Sequence, residues 1–169
     1  MALLPIVTVP DPMLRETSAP IEQVDDQVRA LIDDMLETMY DAPGIGLAAV
    51  QVGVLRRLIV VDIGEREDAP PDPIAMINPE IVQLGDTTRV YEEGCLSLPD
   101  VLVDVERPET AVVRYVDREG VQQERELGGL LATVVLHEVD HLDGRLIIDS
   151  LSRLKREMVV RKLKKLARA

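Results

Sequence analysis

The run Leu130-Leu131-Ala132-Thr133-Val134-Val135-Leu136-His137-Glu138-Val139-Asp140-His141-Leu142-Asp143-Gly144 decides how the rest of the chain is read. Its first half is apolar and it stops near Gly144, a residue suited to closing a helix, so a helix over 130–142 is expected. On a helix, positions i and i+4 lie one above the other, which brings His137 and His141 within reach of one ion. Glu138 stands about 100° around the axis from His137. There a carboxylate sits beside the ligands rather than among them and can take a proton from water. The plain alternative is two unrelated helix histidines. It leaves unexplained why the chain's only two histidines fall at this spacing with a glutamate after the first.

Two histidines do not complete a site, because a catalytic metal takes three protein ligands and keeps a position open. The metzincin continuation fits Gly144 but needs a histidine where the chain has Ile147. A thermolysin-like site takes a glutamate from a following helix, and Glu157 is the one acid after Asp149, in a strongly basic segment. The remaining candidate is Cys95, the only cysteine, in Glu92-Glu93-Gly94-Cys95-Leu96-Ser97-Leu98-Pro99 at the end of an expected strand. A lone cysteine is often just a small buried hydrophobe. Here its neighbours are polar, Gly94 lets the backbone bend or approach something closely, and thiolate is a good ligand for such metals. Spacing alone leaves Cys95 and Glu157 both open.

Elsewhere, apolar residues at helical spacing over 24–39, closed by Asp41-Ala42-Pro43-Gly44, predict an amphipathic helix. Strands are expected at 58–63, 74–77, 81–84, 88–91, 101–105, 111–116 and 121–127, with a hairpin turn at Asp117-Arg118-Glu119-Gly120. An acidic, proline-rich loop spans 65–73, and a basic helix over 151–168 ends the chain. Short strands between flanking helices point to an α+β domain, one domain over residues 1–169. With no Phe or Trp and only three Tyr, the core must be aliphatic.

The net charge of −12 argues against binding DNA or an anionic membrane with the bulk of the surface. The charge is uneven, however. Residues 153–169 hold eight of the 19 basic side chains, leaving 11 basic against 30 acidic residues elsewhere. A basic tail on an acidic body points to an anionic partner, or is simply the solvated face of a terminal helix. One cysteine, no membrane-length apolar run and no signal-peptide pattern point to a soluble cytoplasmic protein.

Three separated segments carry a family resemblance. Gly44-Ile45-Gly46-Leu47-Ala48-Ala49-Val50-Gln51, Glu93-Gly94-Cys95-Leu96-Ser97 and His137-Glu138-Val139-Asp140-His141 resemble, in order, the three signature motifs of the peptide deformylases. Val9-Pro10-Asp11-Pro12-Met13-Leu14-Arg15 resembles the family's opening, and Leu142-Asp143-Gly144 continues its third motif. The resemblance implies removal of the formyl group from N-terminal formylmethionine of new polypeptides, with release of formate. It implies Cys95, His137 and His141 as ligands of one divalent metal, iron(II) natively, with zinc, nickel or cobalt also accepted. Glu138 becomes the catalytic acid/base, and the Gln51 amide and the Leu96 N–H become donors to an oxyanion. The implied fold is α+β, with antiparallel sheets around the HExxH helix and a C-terminal helix.

Gly44, Gly46 and Gly94 are expected to let backbone approach a bound peptide. Ile45, Leu130 and Val134 are candidates for the methionine pocket or plain core. Family position pairs Glu93 with Arg107, whereas Asp140 is open between a partner of a ligand histidine and an ordinary polar helix residue. Val50 and Leu102 depart from the common pattern. Many members have proline at the first position, and some carry at the second an arginine that holds the substrate backbone. The resemblance further implies nascent formyl-Met chains as partners and ribosome contact through the basic terminal helix, and a monomer is expected. Two rivals remain: a metalloprotease using Glu157, and a binding module that keeps the site as scaffold.

Overall fold

The computed structural model describes residues 2–167. Three helices, α1 (Asp26–Asp41), α2 (Gly129–Leu142) and α3 (Arg153–Ala167), accompany seven strands. These are β1 (Gly46–Ala48), β2 (Leu58–Val61), β3 (Ile74–Leu84), β4 (Thr88–Cys95), β5 (Leu98–Pro108), β6 (Thr110–Val116) and β7 (Gln122–Gly128). The first sheet has five antiparallel strands in the order β1-β2-β3-β6-β7, and the second is the antiparallel hairpin β4-β5.

Helix α2 is apolar around most of its circumference, and such a helix is stable only in a core. One face of the larger sheet, through Ile59, Val61, Met76, Val113 and Tyr115, packs against its Leu130, Ala132, Val135 and Val139. The opposite face, through Leu58, Val60 and Ile77, covers Val28, Ile32, Met35 and Met39 of α1. That double coverage explains why Leu58–Val61 reads as an uninterrupted apolar run. The hairpin buries Leu98, Val101, Val103 and Val105 against Leu14, Ile147, Ile148 and Leu163. The HExxH helix thus lies between sheets, as the resemblance implied.

Several boundaries differ from the sequence reading. The two strands expected at 74–77 and 81–84 are one strand, β3, with irregular register between Ile77 and Glu80. Asn78 there has φ 53°, and Pro79 has no N–H to give the ladder. The irregularity is fastened from outside: Asn78 accepts from the Ile21 N–H (2.8 Å) and donates to the Ile21 carbonyl (2.7 Å). Strand β4 runs on past Tyr91 through Cys95, and residues 46–48, not foreseen as a strand, pair with β2. Helix α1 starts at Asp26, with the Asp25 carboxylate accepting from the Val28 N–H at 3.0 Å. The terminal helix covers Arg153–Ala167, and Arg168 of the expected basic tail lies outside the described residues.

Gly144 follows the end of α2 at φ +75°, and a Cβ there would lie 2.4 Å from the Arg15 carbonyl oxygen. Both the left-handed backbone and the close approach call for glycine. The expected hairpin turn joins β6 to β7, with Asp117 accepting from the Glu119 and Val121 N–H groups.

Candidate metal centre and active-site cleft

Helix α2 sets His137 and His141 one turn apart, and the end of β4 brings Cys95 to them. His141 Nε2 lies 3.3 Å from Cys95 Sγ and 3.3 Å from His137 Nε2. All three donor atoms fall within 4.8 Å of one another. Bonds of about 2.0–2.3 Å at tetrahedral angles would put such atoms about 3.3–3.6 Å apart, so the set fits a common ion. The Glu93 carboxylate is 2.9 Å from His137 Nδ1, which orients the ring so that Nε2 is the nitrogen turned to His141. His141 Nδ1 is buried without a partner, consistent with a ring oriented through its other nitrogen. Glu157, the rival ligand, lies elsewhere: it accepts from Arg153 on exposed α3 at 3.2 Å.

Glu93 is held in turn by Arg107 through a two-pronged ion pair, Nε to Oε2 at 2.7 Å and NH2 to Oε1 at 3.0 Å. The remaining arm of Arg107 donates to Asp140 Oδ2 at 2.8 Å. The pair inferred from family position is therefore present, and Asp140 addresses Arg107 rather than a ligand histidine. Burial raises the Glu93 pKa, but bonds from His137 and Arg107 outweigh it and leave the carboxyl below its ordinary value. One acid thus serves a ligand histidine and an arginine together.

A cleft of about 560 Å³ opens in front of this cluster. Cys95, His137, Glu138, Gln51 and Leu96 all line it, as do Gly44, Ile45, Gly46, Gly94, Leu130 and Val134. The geometry therefore gathers every one of these expected site residues at one place except His141, which lies behind the wall. Tyr91, Leu98, Val101, Thr133 and Arg66 line the cleft as well, and the sequence reading did not single them out. The apolar members of that group are visible in the sequence only as core spacing. Arg66 sat inside a loop read for its acids and prolines.

Glu138 is 5% exposed, and burial pushes its carboxyl up to about 7, near the range useful for proton transfer at neutral pH. The space beside it exists because position 46 has no side chain. A Cβ on Gly46 would sit 2.6 Å from Glu138 Oε2 and 2.8 Å from Val134 Cγ1. The expected role of this glycine, admitting a peptide, is joined by another: admitting Glu138. Gln51, 1% exposed, is fixed at both ends of its amide. Its Oε1 accepts from the Ala48 N–H at 2.9 Å, and Nε2 donates to Ser97 Oγ at 3.0 Å and faces Cys95 Sγ at 3.4 Å. The N–H end of the amide is therefore the end turned to the cluster.

An α+β fold wrapped around a buried HExxH helix, with a thiol carried to its two imidazoles, defines a metal-dependent hydrolase. Residues 3–157 match the family model described as polypeptide deformylase. The chain belongs to the polypeptide deformylase family. It is 56% identical to the peptide deformylase of Bartonella tribocorum, over 99% of this chain and 95% of that one. It is also 56% identical to that of Agrobacterium fabrum, over 100% and 99%. Among solved structures, the peptide deformylase of Ehrlichia chaffeensis in complex with actinonin is 40% identical, with TM-score 0.95 and 100% of both chains covered. The activity is accordingly removal of the formyl group from the N-terminal formylmethionine of newly made polypeptides, with release of formate.

Proposed function

We propose that deformylation is carried out in this cleft by one divalent ion on Cys95, His137 and His141, with Glu138, Gln51 and the Leu96 N–H acting on the substrate. The observation that carries the reading is the meeting of a thiol, two imidazoles and a buried carboxyl at the wall of one cleft, with His141 just behind that wall. Held there, a divalent ion supplies Lewis acidity, lowering the pKa of water from about 15.7 toward 7 and polarising the formyl oxygen. Glu138 accepts the proton of the attacking water. As the C–N bond breaks, Glu138 returns that proton to the departing amine, and formate leaves. The carbonyl oxygen gathers negative charge on attack, and the Gln51 Nε2–H and Leu96 N–H stabilise it. The weak contact of Nε2 with Sγ is one that a charged oxygen replaces at little cost. Each such donor is worth about 10²–10³ in rate.

The methionine side chain enters the apolar part of the cleft bounded by Ile45, Leu130 and Val134, and the backbone of Gly44, Gly46 and Gly94 admits the peptide. The narrow space favours formyl over larger acyl groups by sterics. The thiolate and imidazole set suits iron(II), the metal we assign natively, and accepts zinc, nickel or cobalt. We take residues 1–169 as one catalytic domain, working as a cytoplasmic monomer on nascent chains, with the basic face of α3 docking on the ribosome. No helix among the described residues is long and apolar enough to cross a membrane.

The test is formate release from a formyl-Met peptide by anaerobically purified, iron-loaded protein, beside Glu138→Ala. Release that is fast in the parent and lost by about 10²-fold or more in the variant is expected. Equal release by the two proteins would remove Glu138 from the mechanism.

A further inference from the structure

Among the described residues, Arg66 is the one lysine or arginine lining the active-site cleft. It comes from the loop between β2 and β3, where Glu65-Arg66-Glu67-Asp68 sets one cation among three acids. A surface arginine in that company has carboxylates at hand to pair with. Yet no ion pair among the described residues involves Arg66. The only charged partners the cleft itself offers are Glu93, already taken by Arg107, the buried Glu138, and Asp100.

The loop that carries Arg66 is closely tied down. The Asp62 carboxylate accepts from the Gly64 N–H at 2.9 Å, from the Asp72 N–H at 3.1 Å and from the Tyr40 hydroxyl at 2.5 Å. Within the loop, Glu67 N–H donates to the Ile63 carbonyl at 3.0 Å and Ala69 N–H to the Gly64 carbonyl at 2.7 Å. Its root is joined to the cleft wall directly, since Asp62 N–H donates to the Ile45 carbonyl at 2.9 Å. Arg66 thus reaches the cleft from a fastened turn whose root is tied to the wall at Ile45. Across the cleft, Leu102 stands 65% exposed and offers no charge.

We propose that Arg66 is a specificity-determining residue, which pairs with a carboxylate carried by the substrate shortly after its formylmethionine. The inference rests on the deformylase reading of this cleft and adds to it a preference among peptides. A planar guanidinium fork is matched to a carboxylate. The preference also answers a general problem of this chain. A body with net charge −12 repels acidic peptides, and a free cation at the cleft offsets that repulsion where binding occurs.

The test compares kcat/KM for formyl-Met-Ala-Asp and formyl-Met-Ala-Lys amides at low salt, using iron-loaded full-length protein, with formyl-Met-Ala-Ser as the neutral reference. The parent is expected to favour the aspartyl peptide about three- to tenfold, through KM rather than kcat. Arg66→Ala brings the ratio to about one, Arg66→Lys restores part of it, and Arg66→Glu inverts it. A parent ratio of one, or a ratio unchanged in Arg66→Ala and Arg66→Glu, overturns the proposal while leaving the deformylase reading intact. Failure of the parent to release formate from the neutral peptide would overturn that reading, and this one with it.

Discussion

Gly46 and Glu138 illustrate how one absent side chain makes a catalytic group possible. Adding a methyl at position 46 forces it against Glu138 Oε2 and Val134 Cγ1. Both are held in a packed helix, so relief must come from displacing the carboxylate or the strand. Gly44 is a useful contrast, because a Cβ there would meet the outer end of the Leu96 side chain, Cδ1 at 2.9 Å, which can turn aside. Gly46→Ala is therefore expected to lower kcat by about 10²-fold and to cost about 1–3 kcal/mol of stability by overpacking. Gly44→Ala should lose far less of either, and parallel kinetics and thermal melts on the two variants distinguish them. Gln51 makes a different point. In the sequence it is a glutamine after an apolar run, and only the family resemblance marks it. Its amide is anchored locally by the Ala48 N–H, but the Ser97 and Cys95 groups its other end faces lie more than forty residues away along the chain, and no local pattern encodes those contacts.

Strand β4, strand β5 and helix α2 are locked together by a chain of charged groups. Asp140 on α2 binds Arg107 on β5, which binds Glu93 on β4, which returns to His137 on α2. The arginine side chain is 11% exposed and that of Glu93 4%, so removal of the guanidinium strands a buried carboxylate. Arg107→Leu is expected to cost about 3–5 kcal/mol of stability and to weaken metal retention about 10–100-fold by freeing the His137 ring. Calorimetry and metal content after dialysis measure the two effects. A variant that melts like the parent and keeps its metal would show that the clamp has no such role. The elements themselves were unequally readable. Helix α2 announced itself through local spacing, and so did the two imidazoles on it. The single strand β3 did not, since Asn78-Pro79 looks like a break and is carried through only by the distant backbone of Ile21. The polar end of β4 extends past the strand expected at 88–91, because its pairing with β5 supplies what its own residues lack.

Taken whole, the molecule places the proposed metal centre where the small hairpin sheet meets the central helix. An ion on Cys95, His137 and His141 would therefore join two parts of the fold as well as serve chemistry. Binding to the folded state alone stabilises it by mass action, about 2.7 kcal/mol at a free ion concentration 100 times Kd. Stripping metal with a chelator is expected to lower the melting temperature, and adding nickel or cobalt to restore it, with Cys95→Ser protein responding little. A parent protein whose melting temperature ignores both treatments would count against a bound ion at this junction. The aliphatic core and the α+β plan were open to sequence reading, since periodicity and composition record them. The cleft was legible chiefly through the family motifs, and Arg66, Tyr91, Leu98, Val101 and Thr133 were not, because its walls come from separate elements that no local pattern joins.

That mixed origin matters for any compound made to block the cleft. One wall is largely main chain, contributed by residues 44–46, and at Gly46 a side chain cannot be added without disturbing Glu138. An inhibitor that draws its affinity from those backbone groups leaves the protein few escape substitutions at its point of contact.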